Sequence, residues 1–389
     1  MPVLGGFHIQ RSYMNAIYKR IKESNIEDLL VEAGLIVQGS IIQALSGDHY
    51  NRATRLYKLF YEAMVRIIIN HSKKNGVEPP SSLKNLFKII CNRELEAQDR
   101  YFAFQTILDD GEFSEYVNKL FNVTGAGNHM ANYIISIMNM IEILLMNIDS
   151  LKSEDWERFL SSIRLMMPWM MIYDNTNYSR WLPVFWMEMS SLAEEHVQSI
   201  KEIFSQSLTG NSYSSLPPDL WIECTMNKGS KMKAGWKRLL KNEIGLHIHV
   251  KNTNNISTVR HFLENHINAI KSKNIHRENS KSRLRIDEQC VQDIISVITE
   301  WDCNPFDLQQ QSLRTFQTGA YATKELVEDF ETAYADGDLL VQQSINDRLF
   351  TKSKSIFDTY SKKKGKHLLI SKHLPVKVRT TVKKWKQKH

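Results

Sequence analysis

Apolar residues recur at helical spacing along most of the chain. In the first such stretch, Ile9, Tyr13, Ile17 and Ile21 follow one another every four residues and would share one helix face. Patterns of this kind predict helices over residues 9–23, 26–34, 36–45, 49–74, 82–92, 93–108, 129–150, 154–167, 182–208, 254–272, 285–301, 323–334 and 338–350. Only residues 245–250 alternate as a strand does. The pattern therefore predicts a mainly α protein, with a large multi-helix body and at most a few short strands.

Glycine, proline and polar clusters separate these helices. The predicted breaks lie at residues 73–80, 109–111, 122–128, 209–218 and 273–284. Pro168 is expected to start a new segment or to kink the helix around it. The breaks divide the chain into an N-terminal helical region (1–125), a central motif-bearing helical region (126–272), a C-terminal helical region (285–350) and a basic, partly disordered tail (351–389).

Length and cysteine spacing narrow the class of protein. With 389 residues, of which 42% are hydrophobic, the chain can bury a substantial core. Its four cysteines lie far apart without C-x-x-C spacing, which argues against a zinc module and against a secreted disulfide framework. The N-terminus has no signal-peptide pattern, and the apolar windows 130–148 and 165–173 are interrupted or too short to span a bilayer. We expect an intracellular protein with no membrane segment.

The net charge of +7 is unevenly distributed. Residues 361–389 hold eleven Lys or Arg and no Asp or Glu, which leaves residues 1–360 with a net charge of −4. The block that contains Lys362, Lys363 and Lys364 is therefore a candidate for nucleic-acid binding or nuclear import. A solvated tail without a specific partner is the alternative.

A second cationic cluster surrounds Trp236. Six cations fall within fourteen residues: Lys228, Lys231, Lys233, Lys237, Arg238 and Lys241. Cations of this density neutralise phosphates, and an aromatic face can stack on an unpaired base. The cluster predicts a nucleic-acid contact. The alternative is a solvated helix face that buries Trp236 in the core.

Three carboxylates are candidates for a metal site. Asp174 ends an apolar run and opens a polar cluster, while Asp219 and Glu223 lie four residues apart and would share one helix face. Such carboxylates can hold Mg²⁺ or Mn²⁺. In the alternative interpretation, Asp219 is a helix N-terminal residue and Asp174 is a cap. His8 is either a metal ligand or proton shuttle, or a packed histidine satisfied by a backbone partner.

Five short motifs occur in a fixed order along the chain. They read GGFH at residues 5–8, DNTNYSRW at 174–181, DLWIECTMN at 219–227, RLRIDE at 283–288, and GDLLV…NDRL between 337 and 349. The ordered set, which covers about residues 4–350, resembles a multicopy group of uncharacterised invertebrate proteins that look transposon-derived.

The resemblance implies a relation to transposases with an RNase H-like core, in which Asp and Glu hold two divalent ions. In longer members an acidic strand precedes the GGFH motif, whereas this chain begins at Met1, so that it is expected to lack the strand. Cys224 also follows Glu223 where members often have Gln. Both departures argue against catalysis.

The favoured hypothesis is a transposon-derived nucleic-acid-binding protein without catalytic activity, with DNA as the expected partner and the nucleus as a candidate location. One alternative is a phosphodiester-transfer enzyme, or a subunit of one, that uses Mg²⁺ or Mn²⁺ at Asp174, Asp219 and Glu223. The other is a helical protein-interaction module. Whether the chain is an enzyme stays open, and no further cofactor is expected.

Overall fold

The computed structural model describes residues 4–22, 24–91, 103, 106, 110–125, 127–173, 177–207, 215–223, 280–307 and 312–346. Over this part of the chain it contains thirteen helices and no sheet, which confirms the prediction of a mainly α protein. Two isolated antiparallel bridges, Gln206–Leu216 and Arg314–Tyr321, are the β pairings found there. Most of the predicted helix 93–108, the predicted helix 254–272, the predicted strand 245–250 and the basic tail lie outside the described residues.

The helices are α1 (Gly6–Ile21), α2 (Ile26–Glu32), α3 (Gln38–Leu45), α4 (Tyr50–Lys74), α5 (Ser81–Cys91), α6 (Gly111–Gly125), α7 (His129–Lys152), α8 (Trp156–Ile172), α9 (Tyr178–Ser190), α10 (Glu194–Lys201), α11 (Pro218–Ile222), α12 (Lys281–Glu300) and α13 (Lys324–Ile345).

Four of the long helices begin at a side-chain cap. Asn128 precedes α7, Asp155 precedes α8, Ser280 precedes α12 and Thr323 precedes α13. Each side chain accepts a hydrogen bond from the backbone N–H three residues further on. Asn, Asp, Ser and Thr are the residues that satisfy these otherwise unpaired donors best, so local sequence fixes where these four helices start.

One continuous core of buried apolar residues extends from Ile9 to Val341 and draws on all three predicted helical regions. A buried chain of hydrogen bonds crosses it. The Tyr50 hydroxyl donates to Gln10 over 2.7 Å, the Gln10 amide donates to Asn147 over 2.8 Å, and the Asn147 amide donates to Ser162 over 2.7 Å. The chain ties α4, α1, α7 and α8 together, since buried polar groups require such partners. The predicted region boundaries stay a prediction.

Helix α7 is long and apolar enough to cross a membrane by length and composition. However, 56% of its apolar window is buried inside the protein. Its buried residues include Ile134, Ile137, Ile141 and Leu144, which pack into the core together with those of α8. Packing between helices therefore accounts for the apolar residues on the buried face of α7.

The prediction of one long helix over residues 182–208 was wrong. Helix α9 ends at Ser190, and α10 begins at Glu194. Ala193 between them is extended, and Glu194 and Glu195 occupy the first turn of α10, where carboxylates interact favourably with the helix dipole. The apolar periodicity continues across the gap, and for this reason the pattern concealed the break.

The prediction of two helices over residues 323–334 and 338–350 was also wrong, because α13 runs without interruption through Gly337. A Cβ atom at Gly337 would lie 2.3 Å from the backbone oxygen of Pro168 on α8. Glycine is thus present for close packing of α13 on α8, not to end a helix. Asp338 follows it and accepts a hydrogen bond from Arg164 over 2.8 Å. Pro168 itself lies within α8, which continues to Ile172.

Helix α12 is held to α4 by ion pairs from the RLRIDE motif. Asp287 pairs with Arg55 at 2.7 Å, and the two Glu288 oxygens accept from the two terminal nitrogens of Arg66 at 2.7 Å each. The fork of Arg66 matches a carboxylate in this arrangement. The hydrogen bond from Arg66, and then that from Gln292, hold the pKa of Glu288 at about 2.

We expect Glu288→Gln to destabilise the protein by about 0.5 kcal/mol at neutral pH, since the pair is largely exposed and screened by solvent. Because the folded-state pKa is lowered, the contribution is complete above pH 4.5 and fades as the pH falls toward 2. Thermal unfolding of both proteins across this range measures it. Glu32→Gln, an exposed carboxylate at the end of α2, is the control. A stability difference that persisted at the lowest pH would contradict the prediction.

Candidate functional site

The N-terminus of α1 is capped by a residue from a distant part of the chain. Gly5 at the N-cap position has no side chain to accept a hydrogen bond from the first turn. Asp219 fills this role: Oδ1 accepts from the Phe7 N–H over 3.2 Å, and Oδ2 accepts from the His8 N–H over 2.9 Å. A carboxylate in this position satisfies two unpaired donors and interacts favourably with the helix dipole.

The two glycines of the GGFH motif make room for this contact. A Cβ atom at Gly5 would lie 2.2 Å from Asp219 Oδ2, and one at Gly6 would lie 2.8 Å from Leu151 Cδ1. Gly5 has ordinary extended backbone angles, so that close approach and not backbone strain explains the glycine. On the other side of the contact, Pro217 and Pro218 start α11 and place Asp219 in its first turn.

His8 lies beside the same carboxylate. Its Nδ1 atom is 3.7 Å from Asp219 Oδ2, which is too long for a hydrogen bond, and among the described residues this nitrogen has no hydrogen-bond partner. The imidazole is 44% exposed and is therefore accessible from solvent on one side. The His8 ring also contacts the Phe7 ring, with centroids 5.3 Å apart.

A polar pocket of about 430 Å³ opens next to His8. One wall is a face of α1, on which four polar residues follow at spacings of three and four residues: His8, Arg11, Ser12 and Asn15. The remaining lining residues are Ser46, Asp48 and Tyr178. The pocket thus combines the GGFH and DNTNYSRW motifs, and the DLWIECTMN motif supplies the carboxylate behind it.

Charge pairs order the pocket wall. Arg11 donates from Nε to the Gly47 carbonyl over 3.0 Å and pairs with Asp48 at 2.7 Å. Burial raises the pKa of Tyr178 to about 12, and the nearby Asp219 charge acts in the same direction, against the opposing effects of Arg11 and a hydrogen bond with Ser12. Tyr178 therefore stays a neutral hydroxyl at physiological pH, able to donate a hydrogen bond to a bound group.

The structure brings together some of the predicted site residues. Asp219 and His8 meet at the N-terminus of α1, where Tyr178 of the DNTNYSRW motif also lies. Glu223 follows α11 with helical backbone angles, four residues from Asp219. Asp174 lies outside the described residues, as do the cations of residues 228–241 and 362–364. In the part of the chain that the structure describes, no three His, Cys, Asp or Glu residues are grouped so that they could hold a metal ion. The proposed Asp174, Asp219 and Glu223 metal set stays a prediction.

Five pocket residues were not singled out from the sequence: Arg11, Ser12, Asn15, Ser46 and Asp48. Arg11, Ser12 and Asn15 repeat the spacing of His8 on the face opposite the apolar stripe of α1. That polar periodicity could have predicted a shared polar face on α1. No comparable pattern marks Asp48, which follows α3 and reaches Arg11 only in the folded protein.

Comparison with known proteins shows that the chain matches a family model. The sequence profile of a family described as Domain of unknown function (DUF8702) matches residues 1–386. No curated protein and no solved structure matches the chain.

Proposed function

Because the chain belongs to the DUF8702 family, which is defined by a domain of unknown function, we propose its role from the distribution of its charge. It is a helical protein that binds nucleic acid without catalysis, with DNA as the expected partner. We further propose that the protein derives from a transposon, on the basis of its five ordered motifs, and that its basic tail directs import into the nucleus.

The observation that carries the proposal is the separation of charge between two segments and the rest of the chain. Residues 224–279 contain eleven Lys or Arg against three Asp or Glu, a net charge of +8. Residues 347–389 contain fourteen against two, a net charge of +12. The total is +7, so that the remaining residues, which include all of the described helices, carry −13.

Such a separation favours a polyanionic partner. The acidic helical body repels phosphates, whereas the two basic segments can neutralise them and release counterions. Trp236 and Trp385 lie within the basic segments and add aromatic faces for stacking on unpaired bases. Binding is therefore expected to depend on salt and to be carried by these segments.

The role of Asp219 as the cap of α1 supports a nucleic-acid-binding protein without catalysis. Both of its carboxylate oxygens accept backbone hydrogen bonds from α1, so that metal binding would compete with the helix cap. The phosphodiester-transfer enzyme is retained as an outcome of the test below.

We expect a fluorescent duplex to bind the protein with an affinity that falls steeply between roughly 50 and 200 mM salt. Lys237→Glu with Arg238→Glu removes two cations from the first basic segment. If both contact phosphates, the slope of log K against log salt becomes shallower by about 1.8 on duplex DNA. Anisotropy titrations with duplex and single-stranded oligonucleotides in the presence of Mg²⁺ measure both quantities.

Lys73→Glu with Lys74→Glu is the matched control, because it makes the same change in net charge at two exposed lysines at the end of α4. The same samples are run on a denaturing gel. An intact oligonucleotide supports the proposal, while metal-dependent cleavage that Asp219→Ala abolishes would favour the enzyme. No binding at low salt, or equal losses in the two double variants, would contradict the role of residues 228–241.

A further inference from the structure

A second cavity, of about 740 Å³, follows α7 and shares no residue with the pocket beside His8. It is lined by one face of α7 and by residues of α8 and α13, and its apolar lining includes Ile143, Met146, Leu165, Trp169, Phe330 and Tyr334. Leu165 is 38% exposed and Tyr334 is 37% exposed, so that the cavity presents apolar surface to solvent. We call it the α7 groove.

The charges that an occupant of the α7 groove meets are negative. Glu142 and Glu331 line the groove and are both exposed. Among the described residues, the one Lys or Arg in the lining is Arg20, of which only 1% is exposed. Aromatic rings enclose its guanidinium, whose carbon lies 4.6 Å from the ring centroid of Phe330 and 5.2 Å from that of Tyr133. The groove therefore favours a positively charged occupant.

Glu142 lacks a cation of its own. No hydrogen bond or ion pair within the described ranges involves its carboxylate, whereas Glu331 pairs with His129 at 2.6 Å. Partial burial raises the pKa of Glu142, because a carboxylate that loses water without gaining a counter-charge is harder to ionise. A cation beside Glu142 would reverse this effect, so this carboxylate is suited to pair with a basic side chain in the groove.

Helix α13 extends the acidic character of the groove. It carries six Asp or Glu and one Lys, a net charge of −5. Glu325, Glu328 and Glu331 follow one another every three residues and are all exposed. They form a negative edge along the first half of α13, which attracts basic segments of chain.

A basic segment follows α13 in the sequence. Residues 347–389 carry a net charge of +12, and within them residues 360–370 contain four lysines and no Asp or Glu. Tyr360 precedes these lysines, and the apolar run 368–370 follows them. The segment thus combines cations with an aromatic and an aliphatic anchor, which complements a groove that is apolar and acidic.

The chain between α13 and this segment is long enough for the contact. Ile345, the last residue of α13, follows Tyr334 by eleven residues, which corresponds to about 17 Å along the helix. Residues 346–359 span up to about 46 Å when they are fully extended. The connection therefore allows residues 360–370 to return along α13 to the groove.

We propose that residues 360–370 dock in the α7 groove of the same chain. Lysines of the segment pair with Glu142 and Glu331, while Tyr360 packs against the exposed apolar residues of the groove. A docked segment is withheld from polyanions, so the groove and nucleic acid compete for the same lysines. This competition rests on the proposed function, whereas the docking itself does not.

The test is photocrosslinking of the full-length protein with p-benzoylphenylalanine in place of Leu165 or, in a second variant, in place of Tyr334. Both residues line the groove and are more than one-third exposed, so that either position remains informative if the other variant fails to fold. Peptide mapping by mass spectrometry is expected to find crosslinks to residues 360–370 in the monomer. Ile42, which is 58% exposed on α3 and outside the groove lining, is the control position.

Charge reversal in the groove separates docking from random collision. Glu142→Lys with Glu331→Lys replaces two attractive contacts by two repulsive ones and is expected to lower the crosslink yield from position 165 about tenfold. Glu194→Lys with Glu195→Lys makes the same change in net charge at two exposed residues of α10 and should leave the yield unchanged.

Crosslinks to residues 360–370 that exceed those from position 42, and that fall only in the groove double variant, would support the proposal. Equal yields at the groove and control positions would overturn it, as would equal losses in the two double variants. Covalent dimers in place of intrachain crosslinks would also overturn it, because the segment would then occupy the groove of another copy.

Added duplex DNA is expected to lower the crosslink yield from position 165. A duplex that binds the protein without lowering this yield would contradict the competition. If the anisotropy experiment shows no duplex binding, a crosslink that persists still supports docking, so that failure of the proposed function and failure of the docking are distinguished.

Discussion

Gly337→Ala is expected to destabilise the protein by about 3 kcal/mol, at the upper end of the range for overpacked cores. The added methyl group would lie 2.3 Å from the Pro168 backbone oxygen and 2.8 Å from its carbonyl carbon. A backbone group inside a helix cannot rotate away as a flexible side chain can. Helix α13 must therefore move off α8, which also weakens the Arg164–Asp338 pair.

The control is Gly39→Ala, also a glycine within a helix. No atom lies within 4 Å of a Cβ placed at Gly39 on α3. The same substitution there should stabilise the protein by up to about 1 kcal/mol, since alanine has the higher helix propensity. Urea unfolding followed by circular dichroism measures both variants. A Gly337→Ala protein as stable as the parent would mean that α13 and α8 tolerate a wider separation.

Asp219→Ala is expected to lower the free energy of unfolding by about 2 kcal/mol, because it leaves the Phe7 and His8 N–H groups without their acceptor and removes a charge from the N-terminus of α1. Asp219→Asn retains one carbonyl acceptor and should lose about half as much. Chemical unfolding of the two variants beside the parent protein gives the comparison.

Glu194→Ala provides a matched control, because it removes an exposed carboxylate from the first turn of α10 without removing a cap. Its effect should stay within about 0.5 kcal/mol. Unchanged stability of Asp219→Ala would show that the cap contributes little. Stabilisation of the parent protein by Mn²⁺, absent in Asp219→Ala, would instead favour the metal site.

The helical fold was predictable because each helix buries one apolar face, and that face is visible as periodicity. The errors in helix boundaries arose at residues whose neighbours in sequence do not determine whether a helix continues or ends. Gly337 has the signature of a helix end, yet its role depends on Pro168, which is remote in sequence. The break after Ser190 was missed for the opposite reason. The apolar periodicity continues past Ser190, although the backbone is not helical between Ser190 and Glu194.

Some residues of the candidate site were predictable from the sequence, but the contacts between them were not. His8 and Asp219 could be named from the sequence, whereas the cap that joins them spans 211 residues and only the fold reveals it. Arg20 had no signal at all. Beside Lys19 and Lys22 it looks like a solvated cation at a helix end, and its burial depends on rings from α7, α8 and α13.

The distance in sequence between α1 and its cap has a consequence for the order of folding. During synthesis, α1 leaves the ribosome long before Asp219 exists, so the Phe7 and His8 donors are hydrated until a contact 212 residues away along the chain can close. Non-local contacts of this kind slow folding, because chain entropy is lost before the contact is gained. Helix α1 can therefore be completed only after Asp219 has been made, and a nascent chain that stops before Asp219 leaves the N-terminus of α1 without its cap.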